Sequence, residues 1–330
     1  MNQNEKRSNS SMSSNPADRP DRTVLGVGLI LASVFAMALA DALVKLTSSS
    51  MTLWQIFATR ALFAVPIVTG LLFAMGTGFR MKQPGWAFLR GILLVLMWLA
   101  YYASLPVLSL SVAAVALYTS PLIIALFSAA FAGEPVSLRQ WAAVGLGFFG
   151  VVAILKPGSD AFSWMALLPV LGAACYAAAM VLTRSKCAGE SPLALSLALN
   201  VSLLGTGVLA TAVLAMLQLT PTQQAVYPFV LGVWSRMEFD DWALMALLGA
   251  MMAAYSVGVA KAYQVAAPSI VATFDYAYLV SAAIWGFFFF SEVPDLMTVL
   301  GMVLITAAGI LVATPNARVR PRSAPEFTRK

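Results

Sequence analysis

The 330-residue sequence contains no histidine and only two cysteines, Cys175 and Cys187. Histidine and cysteine are frequent ligands of transition metals, and histidine is the usual proton carrier near neutral pH. Their scarcity argues against a metal-dependent enzyme and against a disulfide framework. The GxxxxGK loop that binds nucleotide phosphates is also absent, which argues against ATP-driven pumping by this chain alone. We therefore expect no catalytic residues, no metal and no cofactor.

Charged residues are also few, since they make up 10% of the chain while hydrophobic residues make up 60%. A soluble protein has roughly 25% charged residues, so this chain lacks the polar surface to cover a globule in water. The net charge of +6 does not indicate nucleic-acid binding, because the basic residues lie in the tails and in short loops rather than in one patch. The composition predicts an integral membrane protein in contact with the lipid bilayer.

Ten hydrophobic stretches approach or exceed the roughly 20 residues that a helix needs to cross a bilayer. The predicted spans are 24–46, 53–75, 86–105, 109–132, 137–155, 164–183, 192–218, 242–265, 268–290 and 295–314. Three prolines mark the shortest links between them, because proline disfavours helix in the residue before it; they are Pro106, Pro268 and Pro294. The predicted fold is all-α, with ten transmembrane helices.

The distribution of basic residues predicts the orientation of these spans. With the N-terminus in the cytoplasm, sixteen of the twenty Lys and Arg residues fall on the cytoplasmic side. Lys156 and Arg236 fall on the other side, and Lys45 and Arg60 lie within spans. We expect a multi-pass protein of the cytoplasmic (inner) membrane with both termini in the cytoplasm.

The chain also contains an internal duplication. Residues 111–155 align without a gap on 269–313, so that Ser111 falls on Ser269, Tyr118 on Tyr276, Glu134 on Glu292 and Leu138 on Leu296. Five spans per half is an odd number, so the two halves are expected to be inverted relative to each other. The predicted units are the repeats 23–156 and 157–315, between a disordered tail at 1–22 and a basic tail at 316–330. The long loop near 219–241 is amphipathic, and we expect it to rest on the outer membrane surface.

These segments resemble the drug/metabolite transporter superfamily, EamA type, over nearly all of residues 24–314. The resemblance is carried by YYASLPVLSLSVAAVALYTSPLIIALFSAAFAGE, by its second copy AKAYQVAAPSIVATFDYAYLVSAAIWGFFFFSE and by ATRALFAVPIV. It implies a bundle of two inverted five-helix repeats, alternating access, and export or uptake of a small organic solute. It does not imply a particular solute.

Four ionisable residues lie within predicted spans: Asp41, Lys45, Arg60 and Asp275. Such residues cost several kcal/mol unless they are paired or hydrated, so each is a candidate for function. Arg60 or Lys45 could bind a carboxylate or phosphate of the solute, or the four could form a structural ion-pair network. Asp41 and Lys45 are four residues apart and are expected to pair. Asp275 has no basic neighbour in the sequence, which makes it the candidate site for a coupling proton.

Three tyrosines within or near the duplicated segments, Tyr118, Tyr276 and Tyr278, are further candidates to line a solute cavity. Glu134 and Glu292 follow spans 4 and 9, where a carboxylate is expected to cap the next helix. The sequence therefore favours a secondary carrier for a small polar metabolite. A membrane channel, an integral-membrane enzyme and a membrane-bound scaffold remain the alternatives.

Overall fold

The computed structural model describes residues 23–76, 81–120, 122–124, 126–127, 138–155, 163–187, 189–265 and 274–313, and every regular element within these ranges is helical. The first part of the chain contains α1 (Thr23–Thr47), α2 (Leu53–Ala74), α3 (Pro84–Ser104), α4 (Leu110–Leu117) and α5 (Leu138–Leu155). A 3₁₀ turn at Trp164–Ala166 then leads into α6 (Leu167–Lys186), α7 (Pro192–Leu217), α8 (Pro221–Val226), α9 (Pro228–Leu231), α10 (Phe239–Val265), α11 (Ala277–Phe290) and α12 (Leu296–Ala313).

Six of these helices are long and apolar enough to cross a membrane: those at Val24–Thr47, Leu53–Ala74, Pro84–Ser104, Trp164–Thr183, Pro192–Leu217 and Phe239–Val259. Four shorter apolar helices, α4 (Leu110–Leu117) and those at Trp141–Ile154, Ala277–Phe290 and Leu296–Leu311, fall within the remaining predicted spans. The all-helical prediction is confirmed for the described residues. The count of ten spans and the inverted repeat remain predictions.

The fourth predicted span is not one continuous helix. Helix α4 ends at Leu117, and Tyr118 and Thr119 form a turn before helical structure resumes. The Thr119 hydroxyl donates to the carbonyl of Ala116 at 2.8 Å, and Pro121 follows in the sequence without an N–H to donate. A second turn occurs at Tyr276, immediately before α11. The helix is therefore interrupted at both Tyr118 and Tyr276, the two tyrosines that the sequence alignment superposes.

The segment between α7 and α10 packs on the ends of α2 and α3. Trp54 donates its indole N–H to the carbonyl of Val230 at 2.7 Å, and Tyr227 donates to the carbonyl of Ala103. Phe229 is 2% exposed. The expectation that this segment rests on the membrane surface is therefore incomplete, because one of its faces is buried against the helices. We call this end of the bundle the long-loop end.

Helix α2 is held between α7 and α10 by two glycines. A Cβ atom at Gly207 would lie 2.6 Å from the carbonyl oxygen of Trp54, and one at Gly249 would lie 2.9 Å from that of Arg60. A side chain at either position would collide with the α2 backbone. The two glycines therefore allow both neighbouring helices to approach α2 closely and fix the position of Arg60.

Helices α5 and α12 make a similar contact at the other side of the bundle. A Cβ atom at Gly301 would lie 2.9 Å from the carbonyl oxygen of Gly150, and one at Gly150 would lie 3.3 Å from that of Gly301. Among the described elements, α5 packs mainly against α12. The fifth helix of the chain thus depends for its packing on the last.

Candidate functional site

Arg60 lies in the middle of α2 and is 1% exposed. Its Nη1 donates to the hydroxyl of Tyr102 at 2.9 Å. The guanidinium carbon lies 5.7 Å from the ring centre of Trp98 and 5.5 Å from that of Tyr102, which is within the range of cation–π attraction. The other two nitrogens, Nε and Nη2, are buried without a hydrogen-bond partner among the described residues. Arg60 therefore has donor capacity that the described protein groups do not use.

Asp41, on α1, is also 1% exposed. Its Oδ1 accepts from the hydroxyl of Tyr102 at 3.0 Å, and its Oδ2 accepts from the hydroxyl of Tyr278. The hydroxyls of Tyr101 and Tyr278 lie 2.9 Å apart. Each phenol has a single proton, so Tyr278, which donates to Asp41, must accept from Tyr101. The result is one chain of hydrogen bonds that joins α1, α2, α3 and α11.

The expected pair between Asp41 and Lys45 is wrong. The Lys45 ammonium forms an ion pair with Glu292, donates to the carbonyl of Leu108 at 2.7 Å, and lies 4.7 Å from the ring centre of Phe290. Lys45 is in the last turn of α1, and its side chain is 11% exposed. Its long stem reaches the long-loop end, where an ammonium costs less than in the interior.

Glu292 binds a helix end, although not the expected one. Its Oε2 accepts from the backbone N–H of Leu110, in the first turn of α4, at 2.8 Å. The following helix, α12, is capped instead by Asp295, which accepts from the backbone N–H of Thr298 at 2.9 Å. We refer to Lys45, Leu108, Leu110 and Glu292 as the Lys45–Glu292 cluster. Glu134, the equivalent acid in the first repeat, lies outside the described residues.

The remaining candidate tyrosines surround the ring of Tyr118. The ring of Tyr118 is stacked on that of Tyr278, with centroids 5.0 Å apart and planes at 14°, and meets the ring of Tyr276 at 5.6 Å and 60°. The hydroxyl of Tyr276 is buried without a described partner. A Cβ atom at Gly309 would lie 1.6 Å from it, so only glycine fits there.

Asp275 is half-buried, and its carboxylate makes no hydrogen bond or ion pair with another described residue. Its charge acts on the hydroxyls of Tyr118, Tyr176 and Tyr276. Asp275 therefore lies beside the stacked tyrosines, but it does not belong to the hydrogen-bonded chain that contains Asp41.

A cavity of about 370 Å³ opens at the long-loop end. It lies beside the Lys45–Glu292 cluster, where its lining includes Leu108, Ser109, Val293 and Asp295. None of its lining residues belongs to the chain of hydrogen bonds at Arg60. Among the described residues, the polar centre therefore does not line this cavity.

The sequence did not identify Tyr101 and Tyr102 as part of the site. Both lie near the end of the third predicted span, where tyrosines often mark the membrane interface. The available signal was their depth in the membrane. Arg60 is the eighth residue of α2, and α3 runs in the opposite direction, so the last residues of α3 lie in the same membrane half as Arg60. Within the described ranges, no group of three or more His, Cys, Asp or Glu residues could hold a metal ion.

The known proteins that this chain resembles are transporters of small molecules. Residues 24–156 match the EamA-like transporter family. A riboflavin transporter of Rhizobium johnstonii is 29% identical over 92% of this chain and 95% of its own length. An S-adenosylmethionine uptake transporter of Rickettsia felis is 25% identical over 90% of this chain and 95% of its own length. A pseudopaline exporter of Pseudomonas aeruginosa is 26% identical over 87% of this chain and 95% of its own length.

The fold is also similar to that of a protein solved by crystallography. That chain is 17% identical and superposes with a TM-score of 0.56 over 89% of this chain and 96% of its own length. The family match, the relatives along nearly the whole chain and the long apolar helices agree. The chain is a multi-pass membrane protein that is similar to known metabolite transporters along nearly its whole length, and its residues 24–156 match the EamA-like transporter family.

Proposed function

We propose that the protein is a secondary active transporter that moves a small polar organic metabolite across the cytoplasmic membrane by alternating access. The observation that carries this proposal is the buried chain of Arg60, Tyr102, Asp41 and Tyr278. Polar groups at such depth in an apolar bundle are costly and mark substrate or ion pathways. The chain connects helices of the first half with α11 of the second half, as expected of a site between repeats.

The proposed architecture is a pair of inverted five-helix repeats with both termini in the cytoplasm. The matching turns at Tyr118 and Tyr276 support the repeat, because superposed positions of the two copies interrupt their helices in the same way. The sixteen-to-two distribution of basic residues supports the orientation. In this orientation the long-loop end faces away from the cytoplasm.

The proposed solute site comprises Asp41, Arg60, Tyr118, Asp275, Tyr276 and Tyr278. Arg60 supplies donors, and the aromatic rings offer flat apolar surfaces for a ring or an alkyl chain. The relatives are named for riboflavin, S-adenosylmethionine and pseudopaline, which are all polar organic molecules. We extend this class, rather than one member of it, to the present protein.

In the proposed cycle, the Lys45–Glu292 cluster closes the long-loop end. It joins the C-terminal end of α1 to the segment that precedes α4 and to the segment that follows α11. The long-loop end can therefore open only when these bonds break. Lys45 thus belongs to the gate rather than to the polar centre. A coupling proton is also part of the proposal, with Asp275 as the candidate that the sequence suggests.

The test is transport into proteoliposomes that contain the purified full-length chain. The panel contains riboflavin, S-adenosylmethionine, pseudopaline, amino acids and nucleosides, and the measurement is exchange of labelled against unlabelled solute. Saturable exchange of at least one compound is expected. Arg60→Gln should abolish this exchange, whereas Arg236→Gln, at an exposed arginine of the long loop, should leave it unchanged.

Two outcomes would contradict the proposal. Exchange at the wild-type rate in a folded Arg60→Gln variant would remove Arg60 from the site. Conductance that does not saturate with solute concentration would favour a channel. Melting temperatures of both variants provide the control for folding, because loss of a buried charge partner is itself destabilising.

A further inference from the structure

The two unpartnered nitrogens of Arg60 form one edge of its guanidinium group. Nη1 is used by Tyr102, whereas Nε and Nη2 have no described partner. The Nε–Nη2 edge is one of the two edges with which arginine binds a carboxylate or phosphate through two parallel hydrogen bonds. The edge best suited to an oxyanion is therefore unoccupied by described protein groups.

The charges around this edge are balanced before any solute binds. Arg60 is positive and interacts electrostatically with the carboxylate of Asp41, and the hydroxyl of Tyr102 joins the two through bonds of 2.9 and 3.0 Å. An oxyanion on Arg60 would leave one excess negative charge among residues that are about 1% exposed. An uncompensated buried charge is strongly unfavourable. A proton on Asp41 would restore the balance.

The groups that face Asp41 allow this protonation. They are Tyr278 from α11, Tyr101 and Tyr102 from α3 and Arg60 from α2. The remaining charge on α1 near Asp41 is Lys45, which is paired with Glu292. Two further tyrosines lie on the neighbouring elements: Tyr118 in the turn that follows α4, and Tyr255 on α10.

A protonated Asp41 would become a hydrogen-bond donor. Each phenol can both donate and accept. The hydroxyl of Tyr278 can therefore accept from the protonated Asp41 and donate to the hydroxyl of Tyr101, which reverses the direction of both hydrogen bonds. No backbone movement is required for this change. The arrangement therefore accommodates both protonation states of Asp41.

We propose that the transported solute carries a carboxylate or phosphate group that binds the Nε–Nη2 edge of Arg60, and that Asp41 takes up one proton in the same state. This inference rests on the proposed transport function and specifies its substrate class and coupling site. It assigns the proton to Asp41 instead of Asp275, because Asp41 is linked to Arg60 through Tyr102 whereas Asp275 has no such link. Anion and proton then cross the membrane together.

The experiment measures ligand-induced thermal stabilisation of the detergent-purified full chain. The probes are anionic and neutral pairs of similar shape: nicotinate and nicotinamide, benzoate and benzamide, riboflavin 5′-phosphate and riboflavin. At least one anion should stabilise the protein more than its neutral counterpart. At pH values at which Asp41 is charged in the free protein, the affinity for this anion should fall by about tenfold per pH unit as pH rises, because one proton is bound with each anion.

Variants separate the two parts of the inference. Arg60→Gln should remove the preference for the anion. Asp41→Asn, which has the shape of the protonated acid, should bind the anion with an affinity that no longer changes with pH. If that variant does not fold, Tyr102→Phe should weaken the coupling while keeping the aromatic ring. Asp240→Asn, in the exposed first turn of α10, should behave as the wild type.

Several results would overturn the inference. They are equal binding of the neutral probes, no binding of any anion, an affinity independent of pH, or loss of the pH dependence in Asp275→Asn rather than in Asp41→Asn. Saturable transport of a solute without an acidic group would also overturn it and leave the proposed transport function standing. Absence of transport for every compound would instead contradict the proposed function itself.

Discussion

At the scale of single residues, Tyr278 and Tyr118 offer a direct comparison. Their rings are stacked, but only the Tyr278 hydroxyl donates to the carboxylate of Asp41; the Tyr118 hydroxyl makes no hydrogen bond to another described residue. Tyr278→Phe should destabilise the protein by about 1–3 kcal/mol, because a buried charged group loses a donor. Tyr118→Phe should cost less than the ~1 kcal/mol of one ordinary hydrogen bond. Thermal unfolding in detergent measures both. Equal losses would show that the phenol chain does not stabilise Asp41.

The residues of the polar centre could be predicted only in part. Asp41 and Arg60 are recognisable because a charge within an apolar stretch is rare whatever surrounds it. Their partners could not be predicted, since Tyr102 and Tyr278 lie on other helices. Lys45 shows the limit most clearly: spacing along α1 favours Asp41, but the tertiary fold offers Glu292, 247 residues away.

At the scale of helices, the Lys45–Glu292 cluster predicts how the long-loop end opens. Glu292→Gln keeps an acceptor for the N–H of Leu110 but removes the ion pair with Lys45. Opening should become more frequent by roughly tenfold, which corresponds to about 1.4 kcal/mol. The measurement is labelling by a membrane-impermeant maleimide of a cysteine at Ser111, which is 1% exposed in the closed arrangement. Cys175 and Cys187 are replaced by alanine beforehand.

The control is the same substitution at the opposite end of the bundle. Glu190 accepts from the backbone N–H of Gln83 at 2.8 Å, so Glu190→Gln also removes a carboxylate that binds a backbone N–H. It should not change labelling at Ser111→Cys. Equal labelling in Glu292→Gln and the unsubstituted protein would exclude the cluster from the gate.

At the scale of the whole molecule, the testable property is topology. Alkaline phosphatase, which is active only outside the cytoplasm, should be inactive when fused after Lys330 and active when inserted at Gln223 in the long loop. The expected result follows from the sixteen-to-two distribution of basic residues. Activity at Lys330 would require either an odd number of spans or the opposite orientation, and would contradict a five-plus-five arrangement with both termini in the cytoplasm.

The helical architecture was largely predictable because long apolar stretches separated by proline can satisfy their backbone only as helices in a membrane. Helix–helix pairing was not, since apolar helices have similar compositions. The close approach of α7 to α2 depends on Gly207 meeting the backbone at Ala58, a fit between segments far apart in the chain. The burial of Phe229 against the bundle likewise depends on a fit between segments far apart in the chain.

The contact between Gly150 and Gly301 has a consequence for biosynthesis. Helix α5 ends at Leu155, but its main partner begins at Leu296. At a translation rate of roughly 5–20 residues per second, the interval between them is on the order of ten seconds. During that interval, the glycine face of α5 must be covered by lipid or by the insertion machinery. A ribosome that stalls before α12 would release a chain whose uncovered helix face cellular proteases could recognise.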